Sequence, residues 1–385
     1  VPAAVHWTGA GTPIGLPYPE AMVHLFEPIA LRDVVVNNRA WVAPMCQFSV
    51  EARDGAPTDW HLVHLGSRAV GGFGLVMTEA TAVTPEGRIT PQDVGLWNDR
   101  QVAAWRSITG FVHTQDARIG VQLAHAGRKA STFRPWEAND RRTVGEQDGG
   151  WQTVAPADVA FPGLAVPRGL DRPGIAEVVA QFAAAAARAE AAGFDLIELH
   201  AAHGYLLHQF LSPLANLRSD EYGGDFAGRT RIVFEVVDAV RAVWPVHKPL
   251  FIRLSATDWL PGGWDIAQTS ELARRLKGHG VDLFDISSGG LLPTEDVSID
   301  PGYQTGFARE VRACGGVPTA AAGLITDPEQ AEGHLIEGDA DAIMFGRAAL
   351  REPYWALKAA QRLRYSNWRT NLPVQYEPAT TVADD

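Results

Sequence analysis

From about residue 40 onward, short β-branched or aliphatic runs alternate with longer amphipathic stretches, the pattern of parallel strands joined by crossover helices. Eight cycles can be counted. The strand candidates are AWVAPM (40–45), FGLVMTEA (73–80), RIGVQLAHAG (118–127), FDLIELH (194–200), LFIRLSA (250–256), DLFDISSGG (282–290), VPTAAAG (317–323) and DAIMFG (341–346). Helical periods lie between them. GIAEVVAQFAAAAARAEAAG (174–193) stops at a glycine, and DPEQAEGHLIEG (327–338) starts with Asp and Pro. An open doubly wound sheet has no reason to stop at eight units, so the pattern predicts an α/β fold of the (β/α)8 TIM barrel type. Reactive groups in that fold sit at the C-terminal ends of the strands and on the loops that follow. Two such loops exceed the usual length of roughly two to six residues. One is a capping insertion after the third strand, about 126–174, with Trp136 and Trp151; the other spans about 201–227.

Composition narrows the setting. A chain of 385 residues, 46% hydrophobic, can bury a large core, and a net charge of −12 argues against a nucleic-acid-binding surface. Two distant cysteines, Cys46 and Cys314, suggest neither a disulfide framework nor an iron–sulfur cluster. No window of about 18 apolar residues and no secretory pattern is found, so a cytoplasmic protein without membrane association is expected. Residues 1–21, rich in Pro and Gly, read as a flexible arm, linker or cloning remnant, with Met22 a plausible start of the fold. Residues 22–376 read as a single barrel domain, and 377–385 as a flexible tail.

Polar side chains converge at the strand ends: Cys46, Gln122, His125, His200, His203, Tyr205 and Arg253. AAAGL (320–324) and MFGRAAL (344–350) follow the last two strands, the usual place for a phosphate, and Arg347 supplies a matching charge. A phosphorylated cofactor in the mouth is then expected, flavin mononucleotide or pyridoxal phosphate. Pyridoxal chemistry needs a lysine at the site. Lys129 lies past the third strand and Lys248 precedes the fifth, which favours the flavin.

The motifs LFEPI, NNRAWVAPMCQF, TEATAVTPEGRI, GVQLAHAGRKA, GFDLIELHAAHGYLLHQFLSPLANLRSDEYGG, RLSATDW, DISSGG and FGRAAL resemble those of the old yellow enzyme family of FMN-dependent ene-reductases, in its bacterial xenobiotic-reductase-like branch. The resemblance runs from Leu25 to Tyr376. It implies FMN held by Ala43, Pro44, Met45, Cys46, Ala80, Gln122 and Arg253, with its phosphate at Gly323, Gly346 and Arg347. It implies NADPH or NADH as reductant and small activated alkenes as substrates. His200 and His203 would donate to the carbonyl oxygen of an α,β-unsaturated compound, Tyr205 would give a proton to Cα, and Phe48 would line the substrate pocket. A homo-oligomer, dimer or tetramer, is also implied.

Plainer readings stand beside these. The His-x-x-His pair could hold a metal with His125 or His208, as in a barrel lyase or hydrolase, or be structural. The same flavin site could serve a nitro-compound or quinone reductase, or bind flavin without meaningful turnover. Cys46 could be a small buried hydrophobe, and Cys314, placed in a helix-to-strand connection, carries no chemistry. Arg253 and Gln122 could be barrel-packing groups, and NLRSDEYGG (216–224) with Arg229 reads as a rigid salt-bridged loop. Three departures from the family are visible. Phe48 replaces the branch's usual tyrosine, Pro378 stands where a tail arginine would reach a neighbouring subunit, and DFAGR replaces the commoner Ser-x-Glu-Asn-Arg.

Overall fold

The computed structural model describes residues 23–137, 142–293, 297 and 299–380. The expected arm (1–21), Met22 and the end of the tail (381–385) lie outside the described residues.

The eight predicted strands are present as β3 (Ala40–Val42), β4 (Leu75–Ala82), β5 (Arg118–Ala124), β8 (Leu196–Ala201), β9 (Leu250–Ser255), β10 (Leu283–Ser287), β11 (Thr319–Ala321) and β12 (Ala342–Phe345). They pair in parallel, in that order, and close on themselves through β12 and β3, a (β/α)8 barrel. Helices α1 (Asp59–Val70), α2 (Asp99–His113), α3 (Arg172–Ala192), α5 (Phe226–Val243), α6 (Ile266–Leu276), α7 (Thr305–Gly315), α8 (Pro328–Ile336), α9 (Arg347–Arg351) and α10 (Trp355–Arg362) surround it. Short polar side chains start many of them: Asp171, Asp225, Asp265 and Asp327 each accept amides of the first turn that lack intrahelical partners. Asp225 belongs to the DFAGR variant, so that departure preserves a helix start. No described helix is long and apolar enough to cross a membrane.

Cys314 lies within α7 and is exposed, rather than in the connection after it. The helical period of TGFAREVRACG carries through that residue, so the helix ends one residue later, at Gly315.

Further elements lie outside the eight predicted strands. A hairpin, β1 (Ile29–Leu31) paired with β2 (Val34–Val36), precedes the barrel, and α4 (Leu206–Leu211) interrupts the loop after β8. The capping insertion contains a two-residue parallel pair, β6 (Val154–Ala155) with β7 (Arg168–Gly169).

Side chains alternate across each strand, so one face of every barrel strand points inward. The lower interior is apolar: Trp41, Leu75, Met77, Leu196, Phe251, Leu283, Ala320, Ala342 and Met344 pack with Leu31 and Val36 of the hairpin. Trp41 and Phe251 stack with centroids 5.9 Å apart. The outward faces form the larger core beneath the helices. Two residues further along the inward faces, the interior turns polar.

Candidate active site

Along β8 the inward positions run Leu196, Glu198, His200, which takes the strand from apolar floor to polar mouth. His200 is buried, and its Nδ1 accepts the Ala202 amide at 3.3 Å. That assigns the ring proton to Nε2, leaving Nε2–H as the donor. His203 follows in the left-handed conformation, φ 58°. Its amide donates to Ser255 Oγ at 2.9 Å and its Nε2 lies 2.7 Å from Ser287 Oγ. Centroids of the His200 ring and those of His203 and Tyr205 are 5.2 and 4.9 Å apart, both edge to face. Burial, then the nearby Arg253 charge, holds both histidines well below their ordinary pKa, so both rings are neutral.

Three neighbours fix this corner. Lys129 donates to the carbonyls of His203 and Gly290 at 2.8 Å each, and its ammonium lies 5.1 Å from the Tyr205 ring centre. Gly204 has φ 70°, and a Cβ there would come within 2.2 Å of the Gly290 carbonyl oxygen. The Gly204 amide donates to His208 Nδ1 at 2.8 Å, and His208 Nε2 meets Asp258 Oδ1 at 2.9 Å in a buried contact bent away from hydrogen-bond alignment. His208 is thus committed beneath the loop.

Below the histidines lie Gln122, Glu198, Arg253 and Asp285, all buried. Gln122 Nε2 donates to Glu198 Oε1 at 2.8 Å, and Arg253 Nε approaches Asp285 Oδ2 at 3.0 Å without hydrogen-bond alignment. Burial, and then the Asp285 charge, pushes the Glu198 carboxyl up to about 8, with Arg253 and Gln122 pulling the other way. Burial raises Asp285 as well.

Beside this layer opens a cavity of about 370 Å³, lined by Ala43, Pro44, Met45, Arg253, Gly323, Gly346 and Arg347 among others. Seven of the predicted cofactor residues thus share one wall. Gly323 has φ 126°, and a Cβ would crowd Tyr303 and Gln304 at 3.2–3.3 Å. Cys46, Phe48, Tyr205 and Trp151 pack together on Ala80, Ile89, Ala124 and Ala126. Phe48 is held at φ 51°, with its amide and that of Gln47 directed at Glu79 Oε2, 3.4 and 2.8 Å away. The exposed Trp136 meets the Phe48 ring edge-on at 6.0 Å, whereas Trp151 donates to the Glu86 carbonyl at 2.9 Å.

The predicted cofactor and substrate residues therefore gather at the mouth, with Gln122 in the buried layer beneath it; of the two histidines weighed as metal partners, His208 is committed beneath the loop, and His125 follows the end of β5 with its Nε2 buried and unpartnered. His125 is buried, with Nδ1 accepting the Gly127 amide at 3.0 Å, and burial lowers it to about 4. Among the described residues, the group of three His, Cys, Asp or Glu residues able to hold a metal is His334, Glu337 and Asp339, at the opposite end of the barrel from His200. The salt-bridged loop is present: Arg218 pairs with Asp220, and Arg229 donates to the Leu211 and Gly224 carbonyls. Sequence reasoning missed Glu79, Glu198, Asp285, Ser287 and Gln304. Inward alternation from His200 and Arg253 would have found Glu198 and, by neighbouring register, Asp285.

The family model for "NADH:flavin oxidoreductase / NADH oxidase family" matches residues 24–366. NADPH dehydrogenase of Bacillus subtilis is 44% identical over 354 residues, covering 92% of this chain and 98% of that one. The old yellow enzyme homologue from Zymomonas mobilis superposes with a TM-score of 0.73 at 28% identity, covering 93% of this chain and 99% of that one. Morphinone reductase in complex with tetrahydroNAD gives 0.72 at 29% identity, with 88% and 90% covered.

Proposed function

Because the chain belongs to the NADH:flavin oxidoreductase family, as an FMN-binding, NAD(P)H-consuming enzyme of the old yellow enzyme type, we propose that it reduces the carbon–carbon double bond of α,β-unsaturated carbonyl compounds at the barrel mouth. The residues present fit FMN: the cavity is bounded by strand-end backbone and by three arginines, Arg253, Arg347 and Arg351, and the buried Arg253 Nε has no hydrogen-bond partner in the protein. Ala43, Pro44, Met45, Cys46, Ala80, Gln122 and Arg253 would hold its ring and chain, and Gly323, Gly346 and Arg347 its phosphate. Bound there, FMN supplies two-electron transfer from NAD(P)H to the alkene.

The protein's part is electrostatic and acid–base. Negative charge grows on the carbonyl oxygen as the β-carbon is reduced, and the His200 Nε2–H is a fixed donor for it. Ser287 Oγ lies 2.7 Å from His203 Nε2 and 3.2 Å from Gln304 Oε1, which also accepts from Ser288 at 2.7 Å, and directing the Ser287 proton along the shorter contact makes Nε2 an acceptor. That leaves the His203 proton on Nδ1, a second donor. Neutral imidazoles suit this role because they polarise the oxygen without trapping a charge; such donors are worth about 3–4 kcal/mol each in transition-state stabilisation. Tyr205 supplies the proton to Cα, and the Lys129 ammonium beside its ring steadies the phenolate left behind. Phe48 gives the substrate an apolar wall.

The convergence of the His200, His203 and Tyr205 rings beside a cavity edged by Arg253 carries this reading. Purified protein should show a flavin absorption band that bleaches anaerobically on NADPH and recovers when cyclohexenone is added. His200→Ala with His203→Ala should weaken phenol binding at least tenfold and leave FMN bound. Recovery with quinones or nitro compounds but with no enone or enal would overturn the alkene assignment.

A further inference from the structure

The reaction above leaves a group of buried charges unused. Glu198 on β8 and Asp285 on β10 flank Arg253 on β9, one layer beneath His200. Glu198 Oε2, both Asp285 carboxylate oxygens and Arg253 Nε are buried and lack hydrogen-bond partners in the protein. The inward neighbours on β3, β4, β11 and β12 (Trp41, Met77, Ala320, Met344) carry no ionisable group. Gln122 faces the pair from β5, and His200 and His203 stand above it as neutral rings. His208 and Lys129, the other titratable groups acting on those histidines, are committed to Asp258 with the Gly204 amide, and to two carbonyls.

Two carboxylates share one guanidinium here. With both ionised the layer carries a net negative charge in a dry interior; with one proton between them it is neutral. Burial raises both carboxyls, and Asp285 adds to the rise at Glu198, so a proton stays on the pair until about pH 8. We infer that the Glu198–Asp285 pair takes up one proton from solvent when the FMN beside it is reduced, and returns it to solvent on reoxidation. This rests on the proposed seating of the flavin ring against Gln122 and Arg253.

The balance is simple. Hydride from NAD(P)H brings two electrons and one proton to the flavin, leaving it with one added negative charge. Arg253 is the one cation in the layer and is already shared. The new charge raises the proton affinity of the carboxyl pair, so a carboxylate combines with a solvent proton to give a carboxylic acid. No further electrons or reactants are needed. Below about pH 8 the pair is protonated in both redox states and the coupling is silent; above it, reduction draws in the extra proton.

The test is the reduction potential of the bound flavin, measured by spectroelectrochemistry from pH 6 to 10. Wild type should follow one proton per two electrons at neutral pH and then steepen twofold above about pH 8. Ionisation of reduced flavin itself makes the slope shallower as pH rises, so the sign of the break identifies its source. Glu198→Gln keeps an acceptor for Gln122 and should abolish the steepening. Infrared redox-difference spectra of wild type at pH 9 should show a protonated-carboxyl band appearing on reduction, absent from Glu198→Gln. An unbroken slope in wild type overturns the inference, as does a break that survives in both Glu198→Gln and Asp285→Asn. Gln122→Leu separates the premises. If it leaves the flavin spectrum and potential unchanged, the seating fails and the inference with it. If it shifts them while wild type shows no break, the proton coupling alone fails.

Discussion

Replacing Asp258 by asparagine swaps one oxygen for an NH2 group where every neighbour is a donor. The carboxylate is fully buried; one oxygen accepts the Ser212 hydroxyl at 2.6 Å and the Trp264 amide at 2.7 Å, and the other meets His208 Nε2 at 2.9 Å. Either placement of the new amide therefore faces a donor. Moving the His208 proton to Nδ1 gives no escape, because Nδ1 accepts the Gly204 amide. Losing either the His208 contact or the two hydrogen bonds to the other oxygen, the latter at about 1.5–3 kcal/mol each, and stranding a buried donor gives a cost of about 3–5 kcal/mol. Ser212→Ala removes one donor and leaves the rest, so it should cost about 1–2 kcal/mol. Urea unfolding at pH 7, followed by tryptophan fluorescence, measures both. Burial pushes Asp258 up, but the His208, Ser212 and Trp264 interactions outweigh it and hold the carboxyl below its ordinary 3.8. A depressed carboxyl stabilises above the unfolded value and loses that contribution as pH falls through the folded one. The gap between wild type and Asp258→Asn should accordingly narrow below about pH 4. A variant no less stable than Ser212→Ala, or a gap unchanged in acid, would refute the reasoning.

Gly204→Ala places a Cβ 2.2 Å from the Gly290 oxygen at φ 70°, and should cost at least about 2 kcal/mol in urea unfolding and weaken phenol binding. Phe48→Tyr should change the affinity of phenolic ligands more than that of simple enones; unchanged phenol titrations of the flavin band would count against it. Glu198 keeps its proton to about pH 8 in the folded chain, against an ordinary 4.5. Its contribution is complete below the unfolded value and lost as pH rises through the folded one. Wild-type apoprotein should therefore lose stability relative to Glu198→Gln between about pH 5 and 8, by up to about 4 kcal/mol, seen as a falling denaturation midpoint.

The barrel strands were legible because each is a short run buried on both faces, set off by helices with side-chain caps and glycine stops. The hairpin was not: three-residue strands flanking Arg32 and Asp33 have too short a period, and their role comes from packing against Trp41. Helix α4 was hidden for a similar reason. Its polar residues, His208 and Gln209, are buried by tertiary partners, so LLHQFL shows no amphipathic stripe. Of the candidate site, the residues at strand ends were readable from position alone. Glu198 and Asp285 were passed over because a carboxylate inside an apolar strand has no local signature, and what makes it informative is the guanidinium on the strand between. Ser287 and Gln304 become significant only once β10 and the start of α7 are placed beside His203.

The hairpin and the Trp41–Phe251 layer give the barrel a solid floor. A ring seated above that floor, as proposed, can be reached only from the mouth side among the described elements, where His200, His203 and Tyr205 already wait. Electron donor and electron acceptor must then visit the same standing place one after the other, and the first has to leave before the second arrives. With the ring seated so, turnover should be a ping-pong cycle of two half-reactions: double-reciprocal plots of initial rate should run parallel, and excess nicotinamide cofactor should compete with the second substrate.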